Sequence, residues 1–407
     1  MQEVRFPSLG PALLVTLVAA CFISLLSFGV RSGFGLFTDP LTRELGLSRE
    51  VYAVAIAIQN LAWGLAQPVA GYLSERFGAR RVMAGGAVLY AAGIACMVGA
   101  STPWQLYLSA GVLVGLGMGG ASFSMALGAL GRVMPESHRS WALGLGTAAG
   151  SLGQFLIVPL TQAVIGTGTW HSGAWLMTAA IALIVAIAWL VRGDAGQASA
   201  QANVPMRRVL GTAFQDRNYV LLILGFFVCG FQLAFITTHL PAYLADRGIS
   251  ASVASWTIAL VGLFNVLGSY LAGVWGGRHS KRKLLSVVYV LRGLFIAAFV
   301  LAPMSRTTVL LFGAAMGLLW LSTVPLTSGL VATFFGTRYM ATLFGFVFLS
   351  HQVGSFLGVY LGGVLFERTG SYDLVWWMCV GLSGFAALIN LPIRERASAP
   401  FGRLAAA

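Results

Sequence analysis

The sequence consists of twelve long apolar stretches, separated by short breaks that hold nearly all of its charged residues. Each stretch is close to the roughly 20 apolar residues with which a helix crosses the hydrocarbon core of a bilayer. Only 9% of the residues are charged and 58% are hydrophobic, whereas roughly a quarter of a soluble domain is charged. Lipid is therefore the solvent for most of this chain, and we predict an all-α membrane protein.

The predicted helices fall into two groups of six. Their limits are 10–37, 50–73, 81–100, 104–132, 139–164, 172–192, 217–243, 250–275, 283–303, 306–334, 339–366 and 372–393. A stretch of small and polar residues between the sixth and seventh helices is the one long linker in the chain. We therefore predict an N-terminal six-helix bundle at 1–192, a cytoplasmic linker at 193–216, and a C-terminal six-helix bundle with a short cytoplasmic tail at 217–407.

The distribution of Lys and Arg indicates the orientation in the membrane. With the N-terminus in the cytoplasm, the inside segments hold 18 Lys and Arg and the outside segments hold five. Because cytoplasmic loops carry the excess of Lys and Arg, we predict a multi-pass protein of the cell (inner) membrane with both termini cytoplasmic. The same distribution explains the net charge of +13 without nucleic acid, since it leaves no continuous basic face for phosphates.

The sequence carries no signature of an enzyme. It has no Walker loop, no Gly-x-Ser-x-Gly elbow and no His-Glu-x-x-His pair. Its four cysteines fall inside apolar segments, without the spacing of a metal site or a disulfide framework. We therefore expect no catalytic residue, no metal and no cofactor.

One loop motif occurs twice, 202 residues apart. After the second predicted helix the chain reads Gly71-Tyr-Leu-Ser-Glu75-Arg76-Phe-Gly-Ala-Arg80-Arg81, and after the eighth it reads Gly273-Val-Trp-Gly-Gly277-Arg278-His-Ser-Lys281-Arg282-Lys283. The repeat indicates that the two halves share an ancestor. Its glycines allow close packing at the helix end, and its arginines can bind helix C-terminal carbonyls or anionic lipid.

This motif resembles the loop between helices two and three of the major facilitator superfamily, Gly-x-x-x-Asp-Arg-x-Gly-x-Arg-Arg. Glu75 stands in place of the aspartate, and Gly277 replaces it in the second half. The resemblance implies a monomer of two pseudo-symmetric six-helix bundles around a central cavity, with alternating access by rocking of the halves. It also implies a gating role for Gly71, Glu75, Arg76, Arg80, Gly273, Arg278 and Arg282.

Two further segments resemble the monocarboxylate porter and oxalate/formate antiporter group of that superfamily. They are Arg31-Ser-Gly-Phe-Gly-Leu-Phe37 in the first helix and Arg139-Ser-Trp-Ala-Leu-Gly144 at the start of the fifth. This resemblance implies transport of small organic anions, and it places a substrate-linked cation at Arg31. Many members carry another arginine in helix eight, where this chain has Ser269. Arg292 in helix nine could compensate, but we expect it to bridge helices instead.

Ionisable residues inside a membrane are costly and often functional, and this chain has very few. All twelve acidic residues lie in loops or at helix ends, which disfavours cationic substrates. Arg31 is our first candidate for an anion anchor, since a guanidinium stays charged and can bind a carboxylate through two hydrogen bonds. Alternatively, Arg31 snorkels from a helix end that Asp39 and Pro40 mark.

Four other polar residues inside the predicted helices complete the candidate substrate site. His351 aligns with a substrate-linked lysine of the oxalate/formate group, and it could take up a proton together with the anion. Gln352 follows it, Gln232 aligns with Arg31 in the second half, and Gln154 lies in helix five. Each glutamine can instead form an interhelical hydrogen bond, and His351 can be a neutral imidazole bonded to a carbonyl.

These residues predict a secondary active transporter of small organic anions, in the first place a proton-coupled monocarboxylate symporter. Arg31 would hold the carboxylate, His351 would carry the proton, and Gln232, Gln352 and Gln154 would bind the rest of the substrate. Two alternatives stay open, an organic anion exchanger and an efflux pump for a neutral or hydrophobic compound.

Overall fold

The computed structural model describes residues 10–191, 206–336 and 340–398, without the side chains at positions 75, 136–141, 206, 340 and 341. This part of the chain contains twelve helices that are long and apolar enough to cross a membrane, as predicted, and no β-strand. Their limits are α1 Pro11–Leu45, α2 Arg49–Phe77, α3 Ala79–Val98, α4 Pro103–Val133, α5 Glu136–Thr167, α6 Trp170–Ala188, α7 Arg217–Ala245, α8 Ala251–Arg278, α9 Lys281–Leu301, α10 Arg306–Phe335, α11 Met340–Thr369 and α12 Asp373–Asn390. A short helix, Met206–Phe214, lies within the predicted linker.

Serine caps begin three of the helices at one end of the bundle. The hydroxyls of Ser48, Ser250 and Ser305 accept hydrogen bonds from backbone N–H groups three residues later, at 3.3, 3.4 and 3.1 Å. A cap of this kind satisfies an N–H group that has no acceptor within its helix. It allows α2, α8 and α10 to start within a few residues of the preceding helix.

Three of the crossing helices are interrupted. α1 passes through a 3₁₀ turn, Phe34–Phe37, and then continues as an α-helix to Leu45, beyond its predicted limit of 37. Pro40 does not end this helix, because it lies in the first turn of the final segment, where a backbone N–H would have no acceptor within that segment, so the missing N–H of proline costs little. α4 breaks at Ser122, and α10 breaks at 320–322.

Glycines let helices of the same half touch through their backbones. A methyl group added at Gly153 of α5 would lie 1.9 Å from the carbonyl O of Leu25 in α1. In the matching pair of the second half, a methyl group at Gly230 of α7 would lie 1.8 Å from the carbonyl O of His351 in α11. Only glycine permits approaches this close, so these residues hold the α1–α5 and α7–α11 pairs together.

The two halves meet along α1 and α7, α2 and α11, and α5 and α8. We call the end of the bundle that holds Gly10 and Ser398 the terminal end, and the opposite end the far end. Near the far end, a methyl group added at Gly363 of α11 would lie 2.4 Å from a side-chain carbon of α2. Near the middle of the bundle, a methyl group added at Gly64 of α2 would lie 2.7 Å from a side-chain carbon of α11. Closer to the terminal end, Gly71 of α2 and Gly345 of α11 have open space beside them. The bundle is therefore closed at the far end.

Candidate functional site

Arg31 lies in the last turn of the first segment of α1, which ends at Ser32 before the break at Gly33. It is half-buried, and its Nη2 donates a hydrogen bond to Oδ1 of Asn60 in α2 at 3.3 Å. Its guanidinium also lies 4.9 Å from the centre of the Trp63 ring, a cation–π distance. Arg31 thus faces the interior of the bundle instead of snorkelling towards lipid, and within the described residues it forms no ion pair.

Two small cavities meet at Arg31. The first, which we call the seam cavity, lies between α1, α2 and α7, and its other lining residues are Phe34, Gly35, Ile56, Gln59, Asn60, Ala234, Thr237 and Thr238. The second, which we call the α4 cavity, lies between α1, α2, α3 and α4, and its other lining residues are Ser27, Phe28, Trp63, Tyr90, Met118, Ser122 and Phe123. The seam cavity touches both halves of the protein, whereas the α4 cavity belongs to the first half alone.

A chain of hydrogen bonds joins Arg31 to His351 across the two halves. Asn60 accepts from Arg31 through its side chain, and its carbonyl O accepts from Nε2 of Gln352 in α11 at 3.2 Å. Oε1 of Gln352 lies 3.0 Å from Nδ1 of His351. We call these four residues the polar chain. It brings together three of the predicted substrate residues, Arg31, Gln352 and His351.

Aromatic rings run alongside the polar chain. The Trp63 ring, which faces Arg31, lies 5.2 Å from the Phe348 ring in an edge-on arrangement. The Phe348 ring in turn is stacked on His351 at 5.8 Å. These rings keep the surroundings of the polar chain apolar, and charges interact more strongly in such surroundings than in water.

The structure places Gln232 inside the second half, where it lines neither cavity. Its side chain is fully buried, and Nε2 donates to the carbonyl O of Cys379 at 2.9 Å and to Oγ of Ser383 at 2.6 Å, both in α12. Its Oε1 accepts from Nη1 of Arg292 at 3.5 Å. These contacts match the interhelical role that the sequence left open for this residue.

Arg292 of α9 is completely buried and binds backbone carbonyls. Its Nη2 donates to the carbonyl O of Leu319 at 2.6 Å and also to that of Trp320. The break in α10 leaves these carbonyls without helical partners, and a guanidinium has enough N–H groups to serve several of them. Arg292 thus bridges α9 to the break in α10, the bridging role expected from the sequence.

Gln154 lies at the opposite seam, between α5 and α8. Its Nε2 donates to the carbonyl O of Ile258 at 2.8 Å. Nearby, Asn265 of α8 accepts from the N–H of Leu321 at the break in α10, at 2.9 Å, and from Oγ of Ser269 at 3.0 Å. Where the resembled group has an arginine, this chain thus has a hydrogen-bonded serine. Among the described residues, no hydrogen bond connects Gln154 with the polar chain.

Arg49, the first residue of α2, did not stand out in the sequence, yet it joins the halves at the far end. It forms ion pairs with Asp39 of α1 at 2.8 Å and with Asp246, directly after α7, at 2.5 Å. Its backbone N–H donates to Oε1 of Glu367 in α11 at 2.9 Å. We call these four residues the far-end lock. Arg49, Asp246 and Glu367 lie at or next to helix ends, and Asp39 begins the final segment of α1. The signal in the sequence was only that these charges lie at the same end of the bundle.

The first copy of the repeated loop is exposed. Arg76 and Arg80 lie over the rings of Phe77 and Trp189, at 5.4 and 5.6 Å. The side chain of Glu75 lies outside the described residues, as does that of Arg139. The remaining members of the two copies have open space beside them or are exposed: Gly71, Gly273 and Arg278.

In the second copy, which lacks the acid of the motif, a carboxylate from after α12 binds the start of α9. Oε1 of Glu395 accepts from Oγ of Ser280 at 2.5 Å and from the N–H of Arg282 at 2.9 Å, at the start of α9. Burial raises the pKa of Glu395, but these hydrogen bonds, with one from the backbone of Lys281 and the Lys281 charge, outweigh burial and hold the pKa below its ordinary value. Nη1 of Arg282 donates to the carbonyl O of Leu391 at 2.6 Å, so the end of the chain is fastened to this loop.

Comparison with known proteins gives matches along nearly the whole chain. The family model described as Major Facilitator Superfamily matches residues 20–250 and 222–406. Monocarboxylate transporter 13 of Rattus norvegicus is 27% identical over 391 residues, which cover 93% of this chain and 88% of that protein. The oxalate:formate antiporter of Oxalobacter formigenes is 25% identical over 369 residues, which cover 88% of this chain and 85% of that protein. The crystal structure of a D-xylose-proton symporter has the same fold, with a TM-score of 0.74 at 16% sequence identity. The match covers 94% of this chain and 98% of the symporter chain.

Proposed function

The chain belongs to the major facilitator superfamily and is a multi-pass membrane transporter of a small molecule, and we propose that it carries small organic monocarboxylates together with protons. The observation that carries this proposal is Arg31, a permanent cation that lines two cavities and has no ion-pair partner among the described residues. A guanidinium in apolar surroundings favours a carboxylate, which it can bind through two charge-assisted hydrogen bonds. The names of the two relatives, which concern monocarboxylates, oxalate and formate, support the same substrate class.

The charges near the cavities favour one carboxylate group per substrate. Arg31 is the permanent cation of the polar chain, whereas Arg292 is buried against carbonyls of α10 and Arg49 is paired with two aspartates. A second carboxylate would therefore depend on a protonated His351 for its counter-charge. We accordingly propose that monocarboxylates are preferred over dicarboxylates.

His351 is the proposed proton carrier. In the neutral ring, Nδ1 can donate to Oε1 of Gln352, so an added proton would go to Nε2 and give the polar chain a second positive charge. That charge would favour a bound anion, and a bound anion would favour the proton by the same free energy. The polar chain gives the two events a common set of hydrogen bonds.

Transport requires the bundle to open alternately to the two sides of the membrane. We propose that the monomer lies in the cell (inner) membrane with both termini cytoplasmic, as the Lys and Arg distribution favours. The closed far end then faces outwards, and uptake would need release of the far-end lock.

Uptake into proteoliposomes tests the proposal. Formate, lactate, benzoate, oxalate and succinate would be offered at two pH values on either side of the histidine range, with and without an inward proton gradient. We expect uptake of monocarboxylates that is driven by the gradient and lost when a protonophore collapses it. If none of the anions is transported while apolar compounds are, the anion proposal fails and the efflux alternative takes its place.

Substitutions separate the two roles. Arg31→Gln should reduce monocarboxylate uptake by roughly 10- to 100-fold, because it removes hydrogen bonds to a charged group, and Arg31→Lys should retain more activity. His351→Gln should leave exchange of anions but remove the response to the proton gradient. His239→Gln is the matched control, since His239 is another buried histidine whose Nε2 lies 2.9 Å from the carbonyl O of Val359, apart from the polar chain.

Anion exchange is the second candidate. The fixed charge of Arg31 favours it, because a permanently positive cavity could return across the membrane with a second anion in place of a proton. Counterflow of labelled lactate that ignores the proton gradient, combined with full activity of His351→Gln, would establish exchange and refute symport.

A further inference from the structure

We propose that five arginines at the terminal end of the second half bind anionic phospholipids of the surrounding bilayer. All five side chains are exposed. They lie in the short helix Met206–Phe214, which we call the linker helix, at the start of α7 and after α12, and together we call them the arginine face: Arg207, Arg208, Arg217, Arg394 and Arg396. This inference does not depend on which molecule the protein transports.

The three parts of the arginine face meet at the start of α7. The ring of Phe214, the last residue of the linker helix, lies 5.5 Å from the ring of Tyr219 in α7. The backbone N–H of Arg394 donates to Oδ1 of Asn218 at 2.8 Å, and Arg217 directly precedes Asn218. The linker helix and the segment after α12 therefore lie against the same turn of α7, and their arginines form one surface.

The linker helix has an apolar side and a basic side. Val209 and Ala213, four residues apart, are fully buried in the apolar core of the second half. Arg207, Arg208 and Gly211 are exposed, and they share the other side of the helix, since residues three and four apart are neighbours on a helix surface. A short helix with this division of apolar and basic residues is typical of segments that lie at a membrane surface.

The arginine face lies at the level where the helices enter the bilayer. Tyr219, which Phe214 contacts, is in the first turn of α7, and the Phe214 ring also lies 5.7 Å from the ring of Phe346 in α11. Two apolar side chains next to the arginines are exposed, Phe214 at 45% and Leu391, directly after α12, at 47%. Because the ends of crossing helices lie at the level of the lipid head groups, the arginines beside them can reach the lipid phosphates.

No carboxylate of the described residues forms an ion pair with the arginine face. The two acids nearest in the sequence bind other groups: Oδ1 of Asp216 accepts from the N–H of Asn218 at 2.8 Å, and Glu395 binds the start of α9. The ion pairs among the described side chains all lie at the far end instead. Five arginines against these two acids leave an excess of three positive charges, which attracts anionic head groups at a membrane surface.

Lipid enrichment at the linker helix tests the proposal. Gly211 has open space beside it, so Gly211→Cys can hold a fluorescent label in a protein whose four native cysteines have been replaced. In phosphatidylcholine vesicles with a minor fraction of phosphatidylglycerol, quenching by spin-labelled phosphatidylglycerol would be compared with quenching by spin-labelled phosphatidylcholine at the same mole fraction. We expect the local concentration of phosphatidylglycerol to be raised at least about fivefold, and this enrichment should shrink at high salt.

Two pairs of substitutions show whether the arginines cause the enrichment. Arg207→Gln combined with Arg208→Gln should lower it severalfold, whereas Arg207→Lys combined with Arg208→Lys should keep most of it, because lysine retains the charge. Arg306→Gln combined with Arg368→Gln is the control, since these two arginines are equally exposed but lie at the far end. The control should leave the enrichment at the labelled position unchanged.

Three results would overturn the proposal. Equal quenching by the two labelled lipids would show that the arginine face does not select anionic lipid, and equal enrichment in the glutamine pair and its parent would show that these arginines do not cause it. Displacement of phosphatidylglycerol by soluble glycerol phosphate at the same concentration would show that the arginines bind free phosphates instead of the membrane.

Discussion

Replacing Gly35 by alanine should open the far end of the bundle. Gly35 lies in the 3₁₀ turn of α1, where an added methyl group would be 2.2 Å from the carbonyl O of Thr237 and 2.9 Å from that of Thr238 in α7. A carbon and a carbonyl oxygen normally approach to about 3.3 Å, so the two helices must separate by about 1 Å. Both opposing atoms belong to the backbone, and no side-chain rotation can relieve the clash.

The size of the effect follows from this overlap. Overpacking of this kind typically costs about 1–3 kcal/mol, and it acts on the closed state because only there do α1 and α7 touch at this place. Since about 1.4 kcal/mol changes an equilibrium tenfold, the ratio of far-end-open to far-end-closed protein should rise roughly 5- to 150-fold.

Thiol labelling measures this ratio. Thr238, which lines the seam cavity and is 4% exposed, would be replaced by cysteine in a protein whose four native cysteines have been removed. A membrane-impermeant maleimide added on the far-end side should label Gly35→Ala faster than the parent by the stated factor. Gly166→Ala is the control, because Gly166 lies in α5 near the same end with open space beside it. Equal labelling rates for Gly35→Ala and its parent would refute the reasoning.

Three further substitutions test other contacts. Arg49→Gln should also speed this labelling, because it removes both ion pairs of the far-end lock, and Arg49→Lys should do so less. Glu395→Gln should lower the midpoint of thermal unfolding. The pKa of the Glu395 carboxyl is depressed in the folded state, so its contribution to stability is present above the ordinary carboxylate pKa and is lost as pH falls through the folded pKa. A difference in unfolding midpoint between wild type and Glu395→Gln that persists in acid would contradict this. Gly230→Ala should lower the midpoint sharply or prevent folding, since its methyl would lie 1.8 Å from a carbonyl O, whereas Gly381→Ala, which has open space, should change it little.

The twelve helices could be predicted because a bilayer imposes both length and composition on every helix that crosses it. Their interruptions could not. The break at Ser122 follows a run of small apolar residues that reads as continuous helix, and Pro40 looked like an end although α1 continues past it. Composition determines that a segment stays in lipid, but the position of a break depends on which neighbouring groups can bond to the freed backbone.

The candidate site was predictable only in part, for a related reason. Polar side chains are rare in these helices, so Arg31 and His351 stood out. Gln232 and Gln154 stood out equally, yet the side-chain amides of both donate to backbone carbonyls of neighbouring helices. A buried amide N–H can bond to a backbone carbonyl just as well as to a ligand, so the residue type alone does not distinguish the two roles.

The segment that follows α12 has a practical consequence. It runs back across the bundle, where Glu395 binds the start of α9 and the N–H of Ser398 donates to the carbonyl O of Phe334 at the end of α10, at 2.9 Å. The first part of the predicted short tail thus connects the end of α12 to the start of α9 and the end of α10. Affinity tags and truncations should therefore be placed after Ser398, because a protein shortened to Asn390 would be expressed with the ends of α9 and α10 unsupported.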